Sequence, residues 1–367
     1  MSDLTAPVRA AGAGDDGAAP RPAFLITIDV EEDDAWSGSA TVRTRNAGFL
    51  PRFQALCDRY GLPPTYLVDW TMATSPAFQE FGRAVLEGGR GEIGMHLHAW
   101  TTPPILPLTG ADHRHKPFLT DFPEPVMAAK VTTATRTLQD VFRVAPVSHR
   151  AGRWMMDETY ARILVEHGYL ADCSVTPHVS WRGTSGAPGG RGPRDYTGYP
   201  EHPYFVDPGA LHRAGESPLL EVPMTIVPRR YGPLAGGARA LLSRGGPAGR
   251  VAGRLWPRTS WLRPNGRNRR EMLELAGHAL RSGRDHVEFM LHSSELMPGG
   301  SPYFRTFRSV EALYDDIEAL FAYAAGPFEG MTLAAYRAGF AARAGRRPGP
   351  AAGPPRTGQE NPCTSAK

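Results

Sequence analysis

Cysteine is scarce in this chain of 367 residues, and Cys57, Cys173 and Cys363 lie far apart. That spacing excludes a disulfide framework and any Cys-x-x-Cys motif, and it suits a reducing compartment. Long apolar runs are missing too. No stretch approaches the roughly 18 apolar residues that a membrane helix needs, so stable membrane insertion is not expected. The first 22 residues, MSDLTAPVRAAGAGDDGAAPRP, hold no apolar h-region, so the reading expects no secretory leader and a cytoplasmic location. They contain GAGDDG, but no strand precedes it and two Asp stand where phosphate would bind, so it is no dinucleotide fingerprint. Lysine is nearly absent, with Lys116, Lys130 and Lys367 set against 41 basic residues in all. The formal charge of +4 is too small to imply nucleic acid, and no recognised nucleic-acid module accompanies it.

Acid is missing from one long stretch. Between Val222 and Arg270 there is no Asp or Glu, while eleven Arg are interleaved with Leu, Val and Trp. One reading is a cap that draws in an anionic substrate, a phosphate-bearing sugar or a lipid-linked intermediate, with Trp256 and Trp261 touching a membrane surface weakly. The plainer reading is an insertion whose Arg residues are solvated. Composition divides the chain into a disordered segment at 1–22, a domain at 23–344 with a basic insertion at 228–268, and a disordered tail at 345–367.

Within the domain, strand and helix patterns alternate. Strands are predicted over 24–29, 64–69, 92–98, 146–150, 169–174, 219–227 and 286–292. Helices are predicted over 46–61, 76–89, 124–142, 157–168, 269–283, 309–326 and 330–344. Repeated strand–helix units imply a parallel sheet. The expected class is α/β, a closed or nearly closed distorted (β/α) barrel of about seven parallel strands carrying an Arg-rich insertion, with its active site at the C-terminal strand ends.

Reactive side chains fall at those ends. The first strand runs into TIDVEEDD (27–34), with five carboxylates in six positions: Asp29, Glu31, Glu32, Asp33 and Asp34. Such crowding costs energy unless water or a positive partner meets it. Residues i and i+2 of a strand share a face, so Asp29 and Glu31 point the same way. The third strand ends in His96 and His98, and a pair of neutral imidazoles on one face suits a borderline metal. His149-Arg150, Asp172 and His292, the last followed by Glu295, close other strands. Trp100 and Trp154 lie just past strand ends, where their rings would stack on the C–H faces of a sugar or pack into the core.

In this order and spacing the chain resembles the polysaccharide deacetylases, carbohydrate esterase family four, over roughly residues 24–330. The resemblance rests on TIDVE (27–31), EIGMHLHAW (92–100), HRAGRW (149–154), GYLADCS (168–174) and MLHSSE (290–295). It is nearest to a subgroup linked to lipopolysaccharide or surface-sugar assembly. The chain departs from the family at two points: Val30 stands where the metal Asp is usual, and Trp100 where the second His is usual. The resemblance implies hydrolysis of an N-acetyl group on a sugar-containing biosynthetic intermediate, with a divalent metal, zinc, bound by Glu31, His96 and His98. His113 or His115 is an alternative ligand. Asp29 would be the general base, His292 the general acid, and Arg150 the partner that keeps Asp29 ionised. Trp100, Trp154, Asp172 and Glu295 would contact substrate. Two alternatives stand beside this: an inactive glycan-binding barrel, favoured by Val30 and Trp100, and hydrolysis of another amide or formamide.

Overall fold

A computed structural model of the chain describes residues 21–33, 35–37, 39–229 and 259–346. The expectations for 1–20, Asp34, 230–258 (with Trp256) and the tail from 347 lie outside the described residues.

Seven strands lie side by side and parallel: β11 (His286–His292), β1 (Ala23–Val30), β2 (Pro64–Val68), β3 (Glu92–Leu97), β4 (Ser148–Ala151), β5 (Ala171–Asp172) and β8 (Leu220–Glu221). The sheet curls into a half-barrel. A short antiparallel extension, β6 (Tyr204–Asp207) and β7 (Ala210–Ala214), continues it beyond β8. A parallel β12 (Glu329–Met331) adds to the start of β1. Among the described residues no strand pairing joins β8 to β11. The loop after β8 and an antiparallel ribbon, β9 (Ile226–Pro228) with β10 (Thr259–Trp261), cross that gap instead. Thr225 Oγ1 accepts from Glu288 N at 2.8 Å, and Leu262 O accepts from Met290 N at 3.3 Å.

The helices are α1 (Leu50–Tyr60), α2 (Trp70–Ala73), α3 (Pro76–Glu87), α4 (Asp112–His115), α5 (Glu124–Phe142), α6 (Glu158–Glu166), α7 (Arg269–Arg281), α8 (Phe307–Ala324) and α9 (Leu333–Arg343). None among the described residues is long and apolar enough to cross a membrane. Their apolar faces meet the outer face of the sheet in one large cluster that holds Phe24, Ile26, Ile28 and Val30 of β1. The alternate residues Ala23 and Leu25 belong to a second cluster inside the curl, closed from below by Leu333 and Tyr336 of α9. The same period of two then carries Thr27 and Asp29 into the upper, polar part of the interior.

Several expected elements differ in detail. The apolar run at 219–227 is two short strands, β8 and β9, because the chain turns across the barrel gap between them. Residues 330–344 are not helical throughout: Glu329–Met331 pairs with β1 first, and Thr332 then caps α9 by accepting from Ala335 N. The β6–β7 hairpin lies in a region that gave no strand signal.

Candidate active site

Register brings the strand-end residues together. Asp29 stands beside His292 across β1 and β11, and His96 beside Arg150 across β3 and β4. Gly152, just past β4, lets the chain pass close to β3: a Cβ there would meet Leu97 O and lie 2.9 Å from the His98 ring. Together these positions open on a cavity of about 350 Å³ lined by Asp29, Glu31, His96, His98, Trp100, Trp154 and His292. Its outer wall adds Trp36, Lys116, Arg153, Trp181, Arg263 and Tyr303.

Each described carboxylate of the acidic stretch has its own partner, which resolves the crowding. Asp29 Oδ1 accepts from Arg150 Nη1 at 2.6 Å. Glu31 Oε2 lies 3.4 Å from His98 Nε2 and 4.0 Å from His96 Nε2. Glu32 faces the back of His98, with Oε2 3.0 Å from Nδ1, and its Oε1 accepts from Trp100 Nε1 at 3.2 Å. Asp33 turns away to Arg45 and Asn46. Val30 is not a missing ligand, because strand parity sends it outward into the helix-side core while Glu31 faces in.

Glu31 Oε2, His96 Nε2 and His98 Nε2 form a buried triangle whose third side, between the two ring nitrogens, is 3.1 Å. Ligands on one tetrahedral zinc, at bonds of about 2.0–2.1 Å, stand about 3.3 Å apart, so the donor set fits a divalent ion. The ring orientations fit too. His96 Nδ1 donates to Arg150 O at 2.9 Å, leaving the Nε2 lone pair toward the triangle. His98 Nδ1 donates to Glu32, the carboxylate–histidine arrangement that orients a metal ligand from behind. Burial dominates at His96, aided by its positive neighbours, and pulls its imidazole down to about 3, so it is neutral. Burial also pulls on His98, but Glu32 and Glu31 outweigh it and push the ring up to about 10. The pocket between those carboxylates therefore calls for positive charge. A second donor group, Glu32, Asp69 and His98, is also close enough to hold an ion. Its His98 atom is Nδ1, already satisfied by Glu32, and burial next to Glu32 raises the Asp69 carboxyl. Glu32 and Asp69 thus read as support for His98.

Arg150 is wholly buried. Besides Asp29, it reaches Thr27 Oγ1 at 2.7 Å, Glu288 Oε1 at 2.5 Å and Cys173 O at 3.2 Å. Burial works to raise the Asp29 carboxyl, but Arg150, with His96 and His292, overrides it and holds the group down at about 2. Asp29 is thus ionised, with its other oxygen 3.7 Å from His292 Nε2. Behind His292, Nδ1 faces Glu295 Oε2 at 3.2 Å and Arg263 Nη2 at 3.0 Å, and the Trp36 ring packs edge-on at 5.0 Å.

The structure brings nine of the expected site residues into or directly behind this cavity; Asp172 is elsewhere. It is fully buried and bonded to His149 Nδ1 at 2.6 Å and Ser174 Oγ at 2.8 Å, because Ala171 and Cys173 take the inward positions of its strand and turn Asp172 to the helix side, where His149 also reaches Tyr160 of α6. Glu295 is fully buried and touches His292 and Arg263 rather than the cavity, so it positions rather than binds. Trp100 lines the cavity and also stacks on His98 with ring centres 4.2 Å apart. His113 and His115 lie on α4, away from the triangle, and His115 Nδ1 pairs with Thr109. Trp261 is half-buried, packs near Trp154 at the edge of an internal cluster and lines a neighbouring cavity. Glu32, Asp69, Glu288, Trp36 and Arg263 are parts of the site that the sequence reading did not assign.

No protein-family model and no curated protein matches this sequence. Solved structures do resemble the fold. One described as a glycoside hydrolase/deacetylase from Parabacteroides distasonis superposes with a TM-score of 0.55 at 10% identity, over 88% of this chain and 72% of that one. One described as a polysaccharide deacetylase from Mycobacterium smegmatis gives 0.49 at 18% identity, over 93% and 96%. A Puue allantoinase gives 0.48 at 14% identity, over 90% and 96%. At these identities the likeness is one of fold: a mostly parallel sheet curled into a half-barrel with flanking helices.

Proposed function

We propose that the protein is a metal-dependent N-deacetylase acting on a sugar-containing biosynthetic intermediate, of a surface glycan or an aminosugar natural product. The observation that carries this reading is the donor triangle of Glu31, His96 and His98 set beside an ionised, Arg-held Asp29 and a facing His292 in one cavity. Deacetylases among the proteins of similar fold agree with it.

The roles follow from the chain's own groups. Glu31, His96 and His98 would hold the ion, which supplies Lewis acidity toward a water and an acyl oxygen. Asp29 accepts the water's proton at Oδ2, the oxygen left open by Arg150. Arg150 keeps that carboxylate charged and fixed, and Glu288 and Thr27 fix Arg150 in turn. His292 Nε2 lies on the same side of the cavity and delivers a proton to the nitrogen as the C–N bond breaks. Trp100 and Trp154 flank the position where a sugar ring would lie.

The test is acetate release from a panel of N-acetylated sugars, free and nucleotide-linked, by zinc-loaded protein. Release from at least one sugar, lost in Asp29→Asn, supports the reading. No release from any of them, with metal bound, would turn attention to other amides.

A further inference from the structure

His292 Nδ1 faces two groups that make opposite demands on it. Arg263 Nη2, 3.0 Å away, has only hydrogens to offer. Glu295 Oε2, 3.2 Å away, only accepts. One ring nitrogen carries either a lone pair or a hydrogen, so it satisfies one of the two at a time. With Arg263 on Nδ1 the imidazole is neutral and its hydrogen sits on Nε2. With Nδ1–H on Glu295 the ring is free to carry a second hydrogen on Nε2, the imidazolium form that protonates a departing amine. An Arg263 hydrogen aimed at Nδ1 excludes that form, because Nδ1 then has no room for a hydrogen of its own.

Arg263 is placed to move. It follows β10 in the ribbon that crosses the barrel gap and belongs to no strand of the main sheet. Its side chain is 19% exposed and is held at Nη2, which also donates to Glu295 Oε1 at 3.1 Å, while among the described residues its Nε and Nη1 have no hydrogen-bond partner and are open to an incoming anion. It walls the catalytic cavity and also a neighbouring one of about 270 Å³, where Arg229 and Trp181 stand with it. An anionic oxygen entering either space is a stronger partner for a guanidinium than a ring nitrogen is.

We infer that Arg263 is a substrate-operated gate on His292: an anionic group of the substrate, phosphate or carboxylate, draws the guanidinium off Nδ1 and hands that nitrogen to Glu295. His292 then takes a proton from solvent. It gives the Nε2 proton to the amide nitrogen, which receives the electron pair of the breaking C–N bond. The inference rests on the reading of His292 as the general acid, and it names the substrate class as anionic N-acetyl sugars.

The test has two arms. In the first, histidines are ¹⁵N-labelled in the zinc-loaded full chain, and His292 is identified by its loss in His292→Gln. Without added anion, the wild type should show Nδ1 bare and Nε2 protonated. Inorganic phosphate should protonate both nitrogens in the wild type and change nothing in Arg263→Gln. Phosphate bound elsewhere in the cavity would act on both proteins alike, so an equal response, or none in the wild type, overturns the gate. In the second arm, acetate release is compared for N-acetylglucosamine, its 6-phosphate and a uronate-bearing analogue. The wild type should favour an anionic sugar in kcat/KM by about tenfold or more, and Arg263→Gln should lose that preference. The two anionic sugars distinguish phosphate from carboxylate, and equal preference in both proteins overturns the gate. If the wild type hydrolyses none of the sugars, the deacetylase reading fails on its own, and the ¹⁵N arm still decides the gate.

Discussion

Arg150 donates from Nη1 to Asp29 Oδ1 across 2.6 Å, and both side chains are shut away from solvent. A charge that deep is tolerated because it is paired on both sides, with Glu288 and Thr27 on Nη2. The pairing leaves Asp29 ionised, with one oxygen committed and one open. Asp29→Asn keeps the shape and removes the proton acceptor. Acetate release should fall by about 10²–10⁴-fold, while zinc measured in the purified variant stays at the wild-type level. An Asn variant with near-normal turnover would remove Asp29 from the chemistry.

Glu32 supports His98 from behind, with Oε2 3.0 Å from Nδ1. Glu32→Gln keeps the volume and weakens that hold. Zinc affinity measured by competition with a chelator should fall by about 10–100-fold, with the far-ultraviolet circular dichroism unchanged. Unaltered affinity would show that the contact does not orient His98.

Glu295 is fully buried, and its carboxyl lies near 2 because Arg263 and His292 outweigh the opposing effect of burial. Its folded pKa is depressed below the unfolded value of 4.5. Its contribution to stability is therefore complete above pH 4.5 and disappears as pH falls from 4.5 toward 2. The gap in urea-unfolding free energy between wild type and Glu295→Gln should be about 3 kcal/mol near pH 6 and should narrow through that window. A gap independent of pH would contradict the ion-pair account.

Gly152 sits where a methyl group would press on Leu97 O and the His98 ring. Gly152→Ala should displace His98 and lower zinc affinity more than a helix-surface control such as Gly339→Ala does. The check is the same chelator competition, and equal affinity in both variants would refute the packing argument.

The barrel was legible because its strands alternate so regularly. In β1 the parity of apolar residues separates Ile28 and Val30, which face the helices, from Thr27 and Asp29, which face in. The groups proposed as catalytic and the donor triangle share one cavity for the same reason, since strand ends carry them. Glu288 was readable in principle: it shares parity with His292 on β11, and an acid inside an apolar strand needs a partner. Arg263 was not readable. One Arg among eleven in an acid-free stretch carries no local mark, and only the crossing of the barrel gap places it on His292. Asp172 misled because strand-end position was read without parity: Ala171 and Cys173 take the inward positions, so Asp172 faces the helix side with His149.

Zinc binding by the metal-stripped chain tests the central claim most directly. Calorimetric titration should give about one zinc per wild-type chain, with affinity lost in Glu31→Ala and in His96→Ala/His98→Ala but kept in Asp29→Asn. A wild-type chain that takes up no zinc, or a double-histidine variant that binds as the wild type does, would contradict it.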